Sequence, residues 1–191
     1  FLVNANESLA EASAFFREAS TIIITLGTAW TFRFNATGEI VSNCLKLDAK
    51  EFTRERLSLK TCSVLLNSLV GKYPQKRFIF TVSPIRHLKD GAHGNQISKS
   101  TLLMAVESVV ENHPDQCAYF PAYEIMMDEL RDYRFYAEDM VHPSQQAVNH
   151  IWERFCDFAL PETERATLEK NRKAFLQSQH RIITKPQNTD K

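Results

Sequence analysis

The sequence has no net charge, no long apolar run and no paired cysteines, and each absence removes a class of function. Lys and Arg number 23, and so do Asp and Glu. A balanced chain presents no general field to a polyanion, so no nucleic-acid partner is expected. No stretch approaches the ~18 apolar residues that a membrane-spanning helix needs, and no membrane role is expected. The four cysteines, Cys44, Cys62, Cys117 and Cys156, are scattered without a C-x-x-C pair. That spacing offers neither a metal site nor a disulfide framework, and it suits reduced thiols in a cytoplasmic protein. The chain also opens on Phe1 and a polar, acidic segment instead of a basic and then apolar leader. It is expected to begin inside a longer protein.

What is present is an ordinary globular composition. The 191 residues, 43% hydrophobic and 24% charged, are enough for one sizeable core. Leu9, Ala12, Phe15 and Phe16 form a helical stripe over Glu7 to Ala19. Thr21 to Leu26 is apolar on both faces and predicts a central strand of a parallel sheet. Ala29 to Phe34 and Ile40 to Cys44 flank Asn35-Ala36-Thr37-Gly38 and predict a hairpin. Lys50 to Tyr73 reads as helix, Arg77 to Val82 as a buried strand, and Arg86 to Ile97 as a polar loop. A helix capped by Ser98 is predicted to run to His113, followed by a strand over Cys117 to Phe120 and a helix over Glu124 to Arg131. Pro143 suits the first turn of a helix reaching about Leu160, and Glu162 to Arg181 predicts a last, charged helix. There is no internal repeat.

Strands alternating with helices imply an α/β fold, a three-layer α/β/α domain with a mostly parallel sheet. In such sheets ligands bind beyond the carboxyl ends of the strands. Gly27-Thr28, Ser83 to Lys99 and Pro121 to Glu124 fall at those ends. The turn Asp139-Met140-Val141-His142 adds an acid and an imidazole three residues apart, the orienting and proton-shuttling half of a hydrolytic triad. By itself D-x-x-H is a weak motif, and Asp139 could equally cap the helix that follows. Gly27 and Thr28 offer backbone N–H groups for an oxyanion site. Ser83 is the best-placed hydroxyl, but it lacks the G-x-S-x-G elbow of an exposed nucleophile. His87, Asn95 and Lys99, in a loop also holding Lys89 and His93, suit an anionic or polyhydroxyl ligand, or else a solvated linker. Tyr119, Phe120, Tyr123, Phe135 and Tyr136 read as core, and His113 and His150 as structural.

Several blocks together resemble the bacterial GSCFA family. They are Thr25-Leu26-Gly27-Thr28-Ala29-Trp30, Thr81-Val82-Ser83-Pro84-Ile85-Arg86-His87 and Asn95-Gln96-Ile97-Ser98-Lys99, then Tyr119 through Tyr136 and Asp139 through Ser144. The resemblance covers roughly residues 20–160. It implies a flavodoxin-like fold of the SGNH hydrolase superfamily, here lacking its first strand. It further implies an N-terminal Ser that attacks an ester carbonyl, with Asp139 and His142 completing the triad. The Gly-Ser-Cys-Phe-Ala segment that carries such a Ser is absent from the sequence, and is expected upstream of Phe1. Where the superfamily places the Asn of its G-x-N-D block, this sequence has Ala29, so Asn95, Ser83 or the Thr28 N–H is expected to serve the oxyanion.

The expected organisation is a hydrolase domain over residues 1–160, a helical extension over 161–185 and a disordered tail over 186–191. The expected activity is a serine esterase or acetylesterase acting on an acylated carbohydrate or small ester, with no metal and no cofactor. Gly27, Thr28, Ser83, His87, Asn95 and Lys99 are the expected oxyanion or substrate residues. The rival readings are a non-catalytic carbohydrate- or anion-binding module and an inactive fragment of an enzyme. The oligomeric state is left open.

Overall fold

A computed structural model of the protein describes residues 1–42 and 47–179. Two compact units are present, one over Phe1–Val148 and one from Asn149 onward. The first unit opens with α1 (Leu2–Glu18), β1 (Thr21–Leu26), β2 (Trp30–Phe34), β3 (Ile40–Val41) and β4 (Phe52–Arg56). It continues with α2 (Leu59–Lys72), β5 (Arg77–Val82), α3 (Gly91–Asn112), β6 (Cys117–Phe120) and α4 (Ala122–Glu124), which runs into a π-helical turn over Ile125–Leu130. Helix α5 (Gln145–Ala159) spans the boundary, and α6 (Glu162–Gln179) lies in the second unit, where Arg165 pairs with Asp157. Among the described residues no helix is long and apolar enough to cross a membrane.

The fold is α/β, as the alternation of elements predicts. Strands β1, β5 and β6 form a parallel sheet in that order, with Thr21 beside Arg77 and Phe78 beside Cys117. Phe78, Phe80 and Val82 project alternately from β5 onto one face and are almost fully buried. There they meet Val70 and Cys62 of α2 and Leu102, Ala105, Val106 and Val109 of α3. This is the main core, and it fixes the carboxyl ends of β1 and β5 side by side. Strand β5, not β1, is central. Strand β1 pairs only with β5 among the described residues, and its Ile23 is 53% exposed. Its apolar run reads as buried on both faces, yet only Ile22, Ile24 and Leu26 reach the core.

Four further expectations are corrected. Lys50 to Tyr73 is not one helix, because Phe52–Arg56 pairs antiparallel with β2 from Trp30↔Arg56 to Phe34↔Phe52. Arg54 over the Trp30 ring and Arg33 paired with Glu55 hold charged side chains on this small second sheet. Helix α2 then starts where the Ser58 hydroxyl accepts the Thr61 N–H at 3.1 Å. Second, α3 begins at Gly91, so most of the expected polar loop is helical and Ser98 lies buried in the helix interior instead of capping it. Third, Pro143 bridges back to Tyr136, and the cap of α5 is the Ser144 hydroxyl, which accepts the Ala147 N–H. Fourth, α1 starts at Leu2, ahead of the predicted Glu7. The hairpin of β2 and β3 is present, with Gly38 at φ 70 in its turn. Cys44, the end of that predicted strand, Arg181 and the predicted tail lie outside the described residues. Cys62, Cys117 and Cys156 are free and buried.

The α2 cap gives a direct test of this segment. Ser58→Ala removes the acceptor for an otherwise unpaired N–H in the first turn, and should cost about 1 kcal/mol in urea unfolding. No loss of stability would mean that the helix does not begin there.

Candidate functional site

The carboxyl ends of β1 and β5 are joined by one buried lysine. Lys99, fully buried in α3, donates from Nζ to the Gly27 and Ser83 carbonyls at 2.6 Å each. Burial pushes its pKa down from 10.5 to about 8, so the ammonium is still charged at neutral pH. His87 also reaches the Gly27 carbonyl, 3.1 Å from its Nε2. A carbonyl can only accept, so Nε2 must carry a proton in this contact. Burial, and secondarily the Lys99 charge, lower the His87 pKa, and both favour the neutral ring. Gly27 has no positive φ, and a Cβ there would meet nothing nearer than His87 Nε2 at 3.8 Å. What the position supplies to the site is its carbonyl.

Thr28 and the following backbone are tied to α3 in the same way. Ser98 Oγ accepts the Ala29 N–H at 2.8 Å and lies 3.0 Å from Thr28 Oγ1. This explains a hydroxyl in the interior of an apolar helix face, since the Ala29 N–H is buried and needs an acceptor. Asn95, one turn earlier, accepts the His87 N–H on Oδ1 at 3.0 Å. Its Nδ2 remains a donor, and Asn95 lines a cavity of about 290 Å³ together with Pro84, His87, Gln96, Tyr123 and Tyr133. The Ser83 hydroxyl is buried and accepts the Ile85 N–H at 3.3 Å, which holds it in the turn after β5.

The Asp139–His142 turn docks on that same segment. The Arg86 N–H donates to the Val141 carbonyl at 3.2 Å, and its Nη1 to the Met140 carbonyl at 3.4 Å. Met140 adopts φ 59, which closes the turn tightly enough for one carboxylate oxygen to serve two backbone donors. Asp139 Oδ1 accepts the Val141 and His142 N–H groups at 2.9 Å each, while Oδ2 lies 2.6 Å from His142 Nδ1. The His142 N–H, then the Val141 N–H, then the imidazole hold the Asp139 pKa down from 3.8 to about 2. An ionised carboxylate can only accept, so Nδ1 carries the proton and neutral His142 presents a basic Nε2. Half of the imidazole remains exposed.

All eight sequence candidates thus fall in two hydrogen-bonded groups. Gly27, Thr28, Ser83, His87, Asn95 and Lys99 interlock at the strand ends, and Asp139 with His142 forms the turn held by Arg86. The roles divide differently from those expected, because the Lys99 ammonium is occupied by two main-chain carbonyls. Arg86 and Gln96 were not read as site residues from the sequence, and Ser98 was read only as a helix cap. Ser98 and Gln96 sit in the block that also contains Asn95 and Lys99, and a 3.6-residue period would have placed Ser98 beside Asn95. Among the described residues no three His, Cys, Asp or Glu side chains gather as a metal would require.

Comparison with known proteins bears on this chain through one finding. No curated protein and no solved structure matches it. The model of the GSCFA family matches residues 1–155, and so extends through α1, ahead of the blocks that carry the resemblance. The strand ends, the cavity and the Asp139–His142 turn all fall inside that match, and the chain belongs to the GSCFA family.

Proposed function

We propose that residues 1–160 carry the acid–base pair and the substrate cleft of an SGNH-type serine esterase, acting on an acylated carbohydrate or a small ester. The observation behind this reading is the 2.6 Å contact between Asp139 Oδ2 and His142 Nδ1, with Asp139 Oδ1 held by two backbone N–H groups. A plain helix cap uses the backbone donors alone. Here the second oxygen fixes the tautomer of an exposed imidazole, the arrangement a general base needs.

The nucleophile in this reading is a serine upstream of Phe1. The hydroxyls of Ser83 and Ser98 are poor alternatives, since both are buried and both accept backbone N–H groups. As the serine oxygen attacks the ester carbonyl carbon, its proton passes to His142 Nε2 and the carbonyl electrons move onto oxygen. The resulting imidazolium is stabilised by Asp139. Asn95 Nδ2 and the N–H groups near Gly27 and Thr28 are the donors for the oxyanion. Collapse of the tetrahedral intermediate expels the alcohol, which takes the proton from Nε2 and leaves an acyl-serine. Water repeats the cycle: its proton goes to Nε2, the carboxylic acid departs, and serine regains the proton.

Fluorophosphonate labelling of the full-length protein tests the proposal. One serine should become phosphonylated, and prior incubation with an ester substrate should slow the reaction. An intact, folded full-length protein that takes up no label would exclude a serine esterase and leave a ligand-binding module.

A further inference from the structure

Arg86 stands out because it holds the catalytic turn in place and still has most of its guanidinium unassigned. Its ring partners are Tyr136, 3.9 Å from the guanidinium carbon to the centroid, and Tyr133, at 5.5 Å. Two neighbouring cavities, of about 290 and 180 Å³, both have Arg86, Met127 and Tyr133 in their walls. Arg86 is half-buried, and among the described residues no carboxylate pairs with it. The other charges of the smaller cavity are already matched. Arg131 pairs with Asp128 at 3.2 Å, and Asp132 pairs with Arg134 at 2.9 Å, which keeps the Asp132 carboxylate ionised and engaged elsewhere. Among the described residues only one guanidinium N–H of Arg86, on Nη1, is hydrogen-bonded, and at 3.4 Å the bond is long.

From this geometry we propose that Arg86 is the carboxylate-binding residue of the cleft, and that the substrate is an ester carrying a carboxylate on its acyl or its alcohol part. Guanidinium offers five N–H donors in a planar fork that matches a carboxylate at two points. Two tyrosine faces hold the fork flat and reduce the ordering cost of binding. A half-buried cation without a counter-charge also gains more from an anionic ligand than a fully solvated one would. Neutral donors lie close by for the rest of the molecule. Gln96 accepts the Tyr123 hydroxyl on Oε1, leaving its Nε2 to donate, and Asn95 has Nδ2. The cleft therefore pairs one cation with amides, a set suited to an acidic sugar or a dicarboxylic half-ester. The catalytic consequence rests on the esterase reading; the carboxylate site does not.

Two measurements keep these apart. Titration calorimetry of the full-length protein with glucuronate and with succinate, against glucose and butyramide as neutral matches, reads binding without turnover. One of the acids should bind, and which one identifies the alcohol or the acyl side. Arg86→Gln should weaken that acid about 10- to 100-fold, the worth of a charge-assisted contact. Turnover of mono-4-nitrophenyl succinate against 4-nitrophenyl butyrate, and of acetylated glucuronate against acetylated glucose, should show a preference for the anionic member of one pair. In Arg86→Gln the ratio of the two kcat/KM values should fall by the same factor. Absence of binding by both acids overturns the proposal. So does an equal fall in both members of a pair, since Arg86 would then serve only to hold the turn. If no ester is hydrolysed but acid binding is lost in Arg86→Gln, the site stands and the esterase reading fails.

Discussion

Asp139→Asn in the full-length protein is expected to lower kcat about 10⁴-fold while the fold is retained, the scale seen when the orienting acid of a triad is neutralised. The reason is a single proton. Asn can still accept the Val141 and His142 N–H groups on its oxygen, so the turn survives. Its other terminal atom, however, is a donor, and it now faces His142 Nδ1. The imidazole must reverse its tautomer, placing the proton on Nε2, where the serine proton has to go. His142→Ala should abolish turnover and fluorophosphonate labelling together, since no group remains to take the proton. A second readout separates tautomer from collapse. The wild-type Asp139 pKa lies below its unfolded value, so its stabilising contribution is present above about pH 4 and disappears as pH falls through about 2. Acid unfolding of Asp139→Asn should lack that component. A kcat within tenfold of wild type, measured on a variant that retains the fold, would show that the pair is only a helix cap.

How much of this could be read from residues alone depended on whether the signal was local. Strands β1, β5 and β6 were legible because each is a short apolar run ended by Gly, Ser-Pro or Pro, and their bounds match the prediction. The Asp139–His142 pair was legible because three residues of spacing in a turn nearly dictate its geometry. Strand β4 was not. Phe52-Thr53-Arg54-Glu55-Arg56 carries only one large apolar side chain and becomes a strand by pairing with β2, a partner about 20 residues away. The start of α3 was missed because Gly91, His93 and Gly94 look like loop. The helix begins there because Asp90 is buried against Arg54 at 2.5 Å, and a Cβ at position 94 would approach the Asp90 Cβ to 3.1 Å. The ion pair, between residues far apart in the chain, is not local, although the close approach at Gly94, one helical turn on, is.

The site residues show the same division. That Gly27, Ser83 and Lys99 belong together follows from topology, since strand ends adjoin in a parallel sheet. What Lys99 does there does not follow. A lysine among Asn, His and Gly reads as a ligand contact, because lysine side chains are rarely buried without a counter-ion. Only the burial of α3 against β5 turns its ammonium inward onto two carbonyls. Arg86 is the converse case. It reads as one more polar loop residue until the turn carrying Met140 and Val141 is seen resting on it.

Lys99→Met should therefore destabilise the first unit, by about 2–4 kcal/mol in denaturant titration, more than it would if the side chain were a surface ligand contact. Met nearly preserves the length of the side chain, so the loss is chiefly polar. The Gly27 carbonyl would keep its His87 contact, while the Ser83 carbonyl would have no side-chain donor among the described residues. Removing a buried charge offsets part of this cost, which is why the expected loss is not larger. The offset also gives the effect a pH signature. The folded pKa of about 8 lies below the ordinary 10.5, so between those values the unfolded chain holds a proton that the folded chain has released. Stability due to Lys99 then rises with pH across that window and is flat below it. The difference between wild type and Lys99→Met should be larger at pH 9.5 than at pH 7. A difference independent of pH would mean that Lys99 acts through packing alone. In that case the strand ends, and with them the Asn95 amide and the N–H groups that follow β1, would be positioned by the core of β5 and α3 without help from the buried cation.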